Sequence, residues 1–165
     1  MKSIAIAMLL LVPVIASAQQ WSVEGHGNYA RTTQTHLSSW GGGAQAQATL
    51  GGQHAPIQLN TVLGVDWLKQ ENSGPTTTSL GYDATIQPGG NNAITPHVGG
   101  SISANWLSGS NAPSGTLVGF NYIVGVQIKP ESQGPLSIDV EARPGYVKTQ
   151  EHAITWRLGV SYSLQ

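Results

Sequence analysis

The side chains in this sequence that could do chemistry are five histidines, His26, His36, His54, His97 and His152, and the serines that share their phase. The one suggestive pair is His97 with Ser101, a general base and a hydroxyl nucleophile. Four residues apart on an extended strand, they stand about 13 Å from one another, beyond any nucleophile–base hydrogen bond. No two histidines have metal-ligand spacing on one strand. Trp40-Gly41-Gly42-Gly43 leads into a strand and not a helix, so its glycines bend a loop and do not cradle phosphate. G-x-S-x-G and H-E-x-x-H are absent, and there is no cysteine to act as nucleophile, zinc ligand or disulfide. The expectation is no catalytic residue, no metal and no cofactor.

What remains is a set of charges in one phase: Glu24, Asp66, Asp83, Asp139, Glu141, Arg143 and Arg157. To say where they point requires the elements that carry them. In the 165 residues only 9% are charged, against roughly a quarter in an average soluble domain. The formal net charge of −1 leaves no basic surface for nucleic acid. Residues 1–18 read as a secretory signal peptide: Lys2, an apolar run from Ile4 to Ile15, then Ala16-Ser17-Ala18 as the cleavage site. The apolar run is too short to span a bilayer as a helix, which takes about 20 residues. Residues 19–165 form one domain.

That domain has a single period, and it is two. Apolar and polar residues alternate over 21–29, 40–50, 57–67, 79–87, 94–106, 117–128, 136–146 and 154–164. Alternation puts the two sets on opposite faces of a strand. Clusters of Gly, Pro, Asn and Ser separate the runs, as turns require. Eight even strands predict an all-β, eight-stranded antiparallel up-and-down barrel. Two such barrels exist, with opposite polarity. A soluble periplasmic ligand-binding barrel points its apolar set inward and covers its outside with charge. A membrane barrel points the apolar set at lipid and fills its interior with polar residues. Here the apolar phase carries no charge within any strand core, the remaining charges lying at strand ends or in connections, and the other phase is mostly Gln, Asn, Ser, Thr, Gly and His. That selects the membrane barrel and places the seven charges in its lumen.

The aromatic residues give a second test. If odd-numbered strands rise from the periplasm, Tyr29, Trp67, Trp106 and Tyr146 lie at the outer ends of rising strands. Trp40, Tyr82 and Trp156 then lie at the outer starts of descending ones. All seven share the apolar phase, as an interfacial girdle requires. Trp21 and Tyr162 mark an inner ring. Connections 31–39, 69–78, 107–115 and 147–152 are then outside, and both ends of the domain lie in the periplasm.

The segment Thr95-Pro96-His97-Val98-Gly99-Gly100-Ser101-Ile102 resembles the Pro-Tyr-Val-Gly-Gly-Gly strand of small bacterial outer-membrane β-barrels of the OmpA-like and porin-like kind. The runs GFNYIVGVQIKP, LSIDVEARPGYV and TWRLGVSYSL are similar to that family's last three strands. His97 stands where the family has Tyr, and Leu164-Gln165 where it ends on an aromatic residue. The resemblance implies an outer-membrane location, lipid and lipopolysaccharide as surroundings, the barrel-assembly machinery as a partner during insertion, and a monomer. It implies a structural or surface-interaction role with at most a narrow pore, because eight strands leave an interior that side chains fill. A membrane-embedded lipid-modifying hydrolase is the competing reading within the fold. Lipid A deacylase barrels carry a lipid-facing His-x-Ser arrangement that this chain lacks. A hairpin centred on 147–152 would set Arg143 opposite Arg157 with Glu141 diagonal to it. The predicted lumen network is therefore Glu24, Asp139, Glu141, Arg143 and Arg157, with Arg157 bridging Glu141 and a second carboxylate.

Overall fold

In the computed structural model each alternating run is a strand, and every strand extends by one to four residues beyond the alternating core. The structure describes residues 20–51, 55–90, 92–109, 112, 115–131, 134–147 and 152–164. The signal peptide, His54, Ser110, Gln165 and most of the 147–152 connection lie outside the described residues. The strands are β1 (Gln20–Thr32), β2 (Ser38–Leu50), β3 (Ile57–Gln70), β4 (Thr76–Pro88), β5 (Ile94–Ser108), β6 (Thr116–Ile128), β7 (Leu136–Val147) and β8 (Ala153–Leu164). Each pairs antiparallel with its sequence neighbours, and β8 closes on β1. Closure leaves no unpaired edge, which removes the usual route to strand-to-strand association.

The register fixes the tilt. From Ser22 the partners run through Gln47, Val62, Asp83, Ser101, Asn121, Gly145 and Ala153, and return to β1 at Thr32. The return lands ten residues further along the strand, so the shear is ten. Ten residues of about 3.3 Å against eight strand spacings of about 4.8 Å give a tilt of about 40°. That is the range in which small barrels close.

Polarity is inverted relative to a soluble fold. Among the described residues, the large apolar side chains are mostly exposed: Val65, Ile102, Val124, Leu158 and Val160 are examples from four strands. The buried set is polar or charged, from Glu24 and His26 on β1 to Arg157 and Ser161 on β8. Among the described residues, Ile123, 1% exposed, and Val62 are the large apolar side chains fully buried in the barrel. The alternation in 117–128 masks Ile123, because a lone apolar residue in the inward phase reads as noise.

The connections at the two ends of the barrel are comparably short. At the upper end the β3–β4 turn is held by Gln70 N–H to Pro75 O (3.2 Å) and Gly74 N–H to Glu71 O (3.1 Å). Asn72 and Ser73 take positive φ there, and Asn is among the few residues that accept the left-handed region cheaply. At the lower end Gly134 N–H bonds Glu131 O at 3.0 Å.

Candidate functional site

The lumen is built by register. Each strand sends every second side chain inward, and glycines make room where two large groups meet. A Cβ on Gly43 would lie 2.6 Å from His26 Nε2 and 2.7 Å from Asp66 Oδ1. A Cβ on Gly159 would collide with the Glu24 carboxylate, and one on Gly125 with the His97 ring. The absent side chains thus define where the charges sit.

Two arginines organise the charges. Arg157 on β8 donates from Nη2 to both oxygens of Asp66 on β3, at 2.9 and 3.1 Å. It also donates from Nη1 to Gln45 Oε1 (2.6 Å) and from Nε to Asn28 Oδ1 (3.2 Å). Asp66 Oδ1 accepts in addition from Asn28 Nδ2 at 2.5 Å and meets His26 Nε2 at 2.7 Å. The other ring nitrogen of His26 lies 3.2 Å from Glu24 Oε1. Both contacts are hydrogen bonds only when the ring carries two protons, since a neutral imidazole donates from one nitrogen. Arg143 on β7 donates from Nη2 to Asp83 Oδ2 (2.6 Å) and from Nε to Glu141 Oε2 (2.5 Å). His97 Nε2 meets Glu141 Oε1 at 3.1 Å. Charge-assisted contacts of this length are the strong class of hydrogen bond.

Below the charges lies a neutral layer. Thr49 donates to Asn60, Asn60 to Gln87, and Gln87 to Gln58, at 2.9, 2.9 and 3.0 Å. Ser137 and Ser161 close it on the β7–β8 side at 2.6 Å. Above the charges the barrel opens upward into a polar vestibule of about 390 Å³, with Arg143, Arg157, Asp66 and Asp83 in its floor. The lumen is therefore a cup over a plug.

The five residues of the predicted network are all buried in the lumen. Their pairing differs from the expectation. Arg157 stands directly opposite Glu141, and Arg143 opposite Thr155. An end-to-end hairpin would pair Val147 with Ala153; in the barrel Ala153 pairs with Gly145. A tilted barrel staggers neighbouring strands, and the two-residue offset is that stagger. The main partner of Arg157 is Asp66, with Glu141 Oε2 at 3.9 Å. Asp66 and Asp83 face the arginines from across the barrel, and only the closed register reveals that. His97 and Ser101 are both inward on β5 but border different spaces, His97 the plug and Ser101 the vestibule.

Of the predicted girdle, Tyr29, Trp40, Trp67, Trp106, Tyr146 and Trp156 are exposed on the outer surface. Tyr29 is the register partner of both Trp40 and Trp156. Trp40 and Trp67 meet edge to face, with centroids 6.2 Å apart. Tyr82 does not lie at a strand end. It occupies the middle of β4, paired with Leu63 and Ile102, because Thr76, Thr77 and Thr78 extend the strand upward. Threonine's branched Cβ favours that extension. Phe120, opposite Tyr146, joins the upper ring instead.

No protein-family profile matches this chain, and no curated protein matches it. Solved structures do. Neisserial surface protein A is 17% identical with a TM-score of 0.61, over 87% of this chain and 96% of that one. Ail, the attachment invasion locus protein of Yersinia pestis, is 13% identical with a TM-score of 0.57, over 88% and 97%. The outer membrane enzyme PagL is 13% identical with a TM-score of 0.51, over 84% and 98%. At these identities the likeness is one of fold: a closed, eight-stranded, transmembrane-type β-barrel.

Proposed function

Starting from the fold of the small outer-membrane barrels, we propose that this chain is an integral outer-membrane protein with a structural, envelope-stabilising role and a lumen sealed against free diffusion. The observation that carries the reading is the inverted polarity: an apolar exterior, whose strand charges Arg31 and Lys69 lie at the upper strand ends, around an ion-paired interior. A soluble ligand-binding barrel would expose the face that is buried here. The short connections offer little surface for a protein partner, which favours the structural role over an adhesive one. An open pore is disfavoured by the plug that Arg143 with Asp83 and Arg157 with Asp66 form across the barrel. A hydrolytic role lacks a nucleophile within reach of a base, since Ser101 and His97 border separate spaces. Residues 1–18 direct export, the assembly machinery inserts the barrel, and the closed sheet stands as a monomer among lipid and lipopolysaccharide. Lumen charges and aromatic girdle act as plug and anchor, not as a reactive site.

Topology tests the placement. Ser73 lies in the upper β3–β4 turn and Glu131 in the lower β6–β7 turn. In a Gram-negative host, Ser73→Cys is expected to react with a membrane-impermeant maleimide on intact cells. Glu131→Cys should react only after the outer membrane is breached. The reverse pattern would refute the orientation, and equal reactivity of both in a soluble periplasmic extract would refute the membrane location.

A further inference from the structure

We propose that the plug contains a divalent-cation site of the zinc class, with His97 Nε2, Asp139 Oδ1 and Glu141 Oε1 as protein ligands. These three buried groups each offer an atom within 4.8 Å of the others. His97 Nε2 lies 3.1 Å from Glu141 Oε1 and 3.8 Å from Asp139 Oδ1. Tetrahedral zinc, with bonds of about 2.0–2.2 Å, holds its ligand atoms about 3.3–3.6 Å apart. Small side-chain adjustments bring the set to that geometry.

The barrel register assembles the set. Asp139 and Glu141 are successive inward positions of β7, and His97 is inward on β5. Gly125 of β6 lies between them, the register partner of both His97 and Glu141. A Cβ at Gly125 would sit 2.9 Å from Glu141 Cγ. Glycine there keeps the gap between the ligands open.

A second observation points to a missing partner. Asp139 is 7% exposed, and its Oδ1, turned toward His97, has no hydrogen-bond partner. An unsatisfied buried carboxylate oxygen is costly, and a cation would satisfy it. The charge balance agrees. The inward-facing charges of the described strands include five carboxylates, Glu24, Asp66, Asp83, Asp139 and Glu141, and two guanidiniums, Arg143 and Arg157. Both arginines are engaged by carboxylates other than Asp139. A cavity of about 10 Å³ borders all three ligands, close to the space of a single water or ion.

The donor set selects the metal. One imidazole and two carboxylates suit a borderline ion such as Zn²⁺ or its probe Co²⁺. Ca²⁺ asks for six to eight oxygens, which these three groups do not supply. Glu141 Oε2 is held by Arg143 at 2.5 Å, which leaves Oε1 oriented for the ion and gives the site its outer shell. The site requires the barrel fold but not its location, so its failure and that of the membrane assignment are separable.

The test uses the full barrel refolded into detergent micelles with Co²⁺ or Zn²⁺ present, folding being checked by heat-modifiable migration. The expected result is one Zn²⁺ per chain after desalting, and tetrahedral Co²⁺ absorption. Asp139→Asn and His97→Gln should each weaken binding by more than about tenfold. His36→Gln and His152→Gln, in the outer connections, should leave it unchanged. Absence of stoichiometric metal in the folded wild type, or retention of metal by both Asp139→Asn and His97→Gln, would overturn the site.

Discussion

Val124→Arg is expected to destabilise the inserted barrel by about 2–4 kcal/mol, whereas Asn121→Arg, three residues away on the same strand, should cost little. The two positions lie on opposite faces of β6. Val124 is 57% exposed on the outer surface, near the middle of its strand and paired with Val98 and Ala142. A guanidinium there would lie in hydrocarbon. Asn121 faces inward and lines the polar vestibule. The lumen around it holds more carboxylates than guanidiniums, so an added cation meets favourable charge. A urea titration of folding into lipid vesicles measures both. Equal losses would mean that the two faces had been exchanged.

Arg143→Ala should be the most damaging single change in the lumen, by about 3–5 kcal/mol, because it strands two buried carboxylates. Arg143 pairs with Asp83 at 2.6 Å and Glu141 at 2.5 Å, and all three side chains are buried. A double-mutant cycle of Arg143→Ala with Asp83→Ala should return a large coupling energy. The Arg157–Glu141 pair, 3.9 Å apart, should return less than about 1 kcal/mol. If the lumen were a wet channel, each charge would be separately hydrated, and every cycle would return under about 1 kcal/mol. The same Arg143→Ala variant should then conduct no differently from wild type in a planar bilayer. With a plug, wild type is silent and the variant leaks.

The eight strands were legible because one period governs the whole domain and the breakers are unambiguous. Face assignment was legible too, since a single charge on the lipid side would be heavily penalised: Glu24, Asp66, Asp83 and Arg157 could sit only in the other phase. What the sequence hid depends on closure. The partners of Arg157 and Arg143 come from β3 and β4, across the barrel, and no local spacing encodes a cross-barrel contact. The stagger that sets Glu141 opposite Arg157 arises from the shear of the whole sheet, not from the connecting residues. The grouping of His97, Asp139 and Glu141 is invisible in the spacing along any single strand, because Gly125 joins their two strands laterally. Tyr82 sits in mid-strand, away from the girdle, for a simpler reason: three threonines, neither apolar nor alternating, continue β4 past the point where the pattern stops.

All of this rests on one claim, that the apolar outer surface of the barrel is in contact with lipid. The five tryptophans report on it directly: Trp40, Trp67, Trp106 and Trp156 lie exposed on the outer face, and Trp21 shares their phase at the lower end of β1. The measurement is tryptophan emission of the protein refolded into vesicles whose acyl chains carry bromine at shallow or deep positions. Girdle tryptophans facing lipid should be quenched by both, and more strongly by shallow bromine, with little quenching by aqueous iodide. Emission that ignores the brominated lipids and yields to iodide would contradict the account.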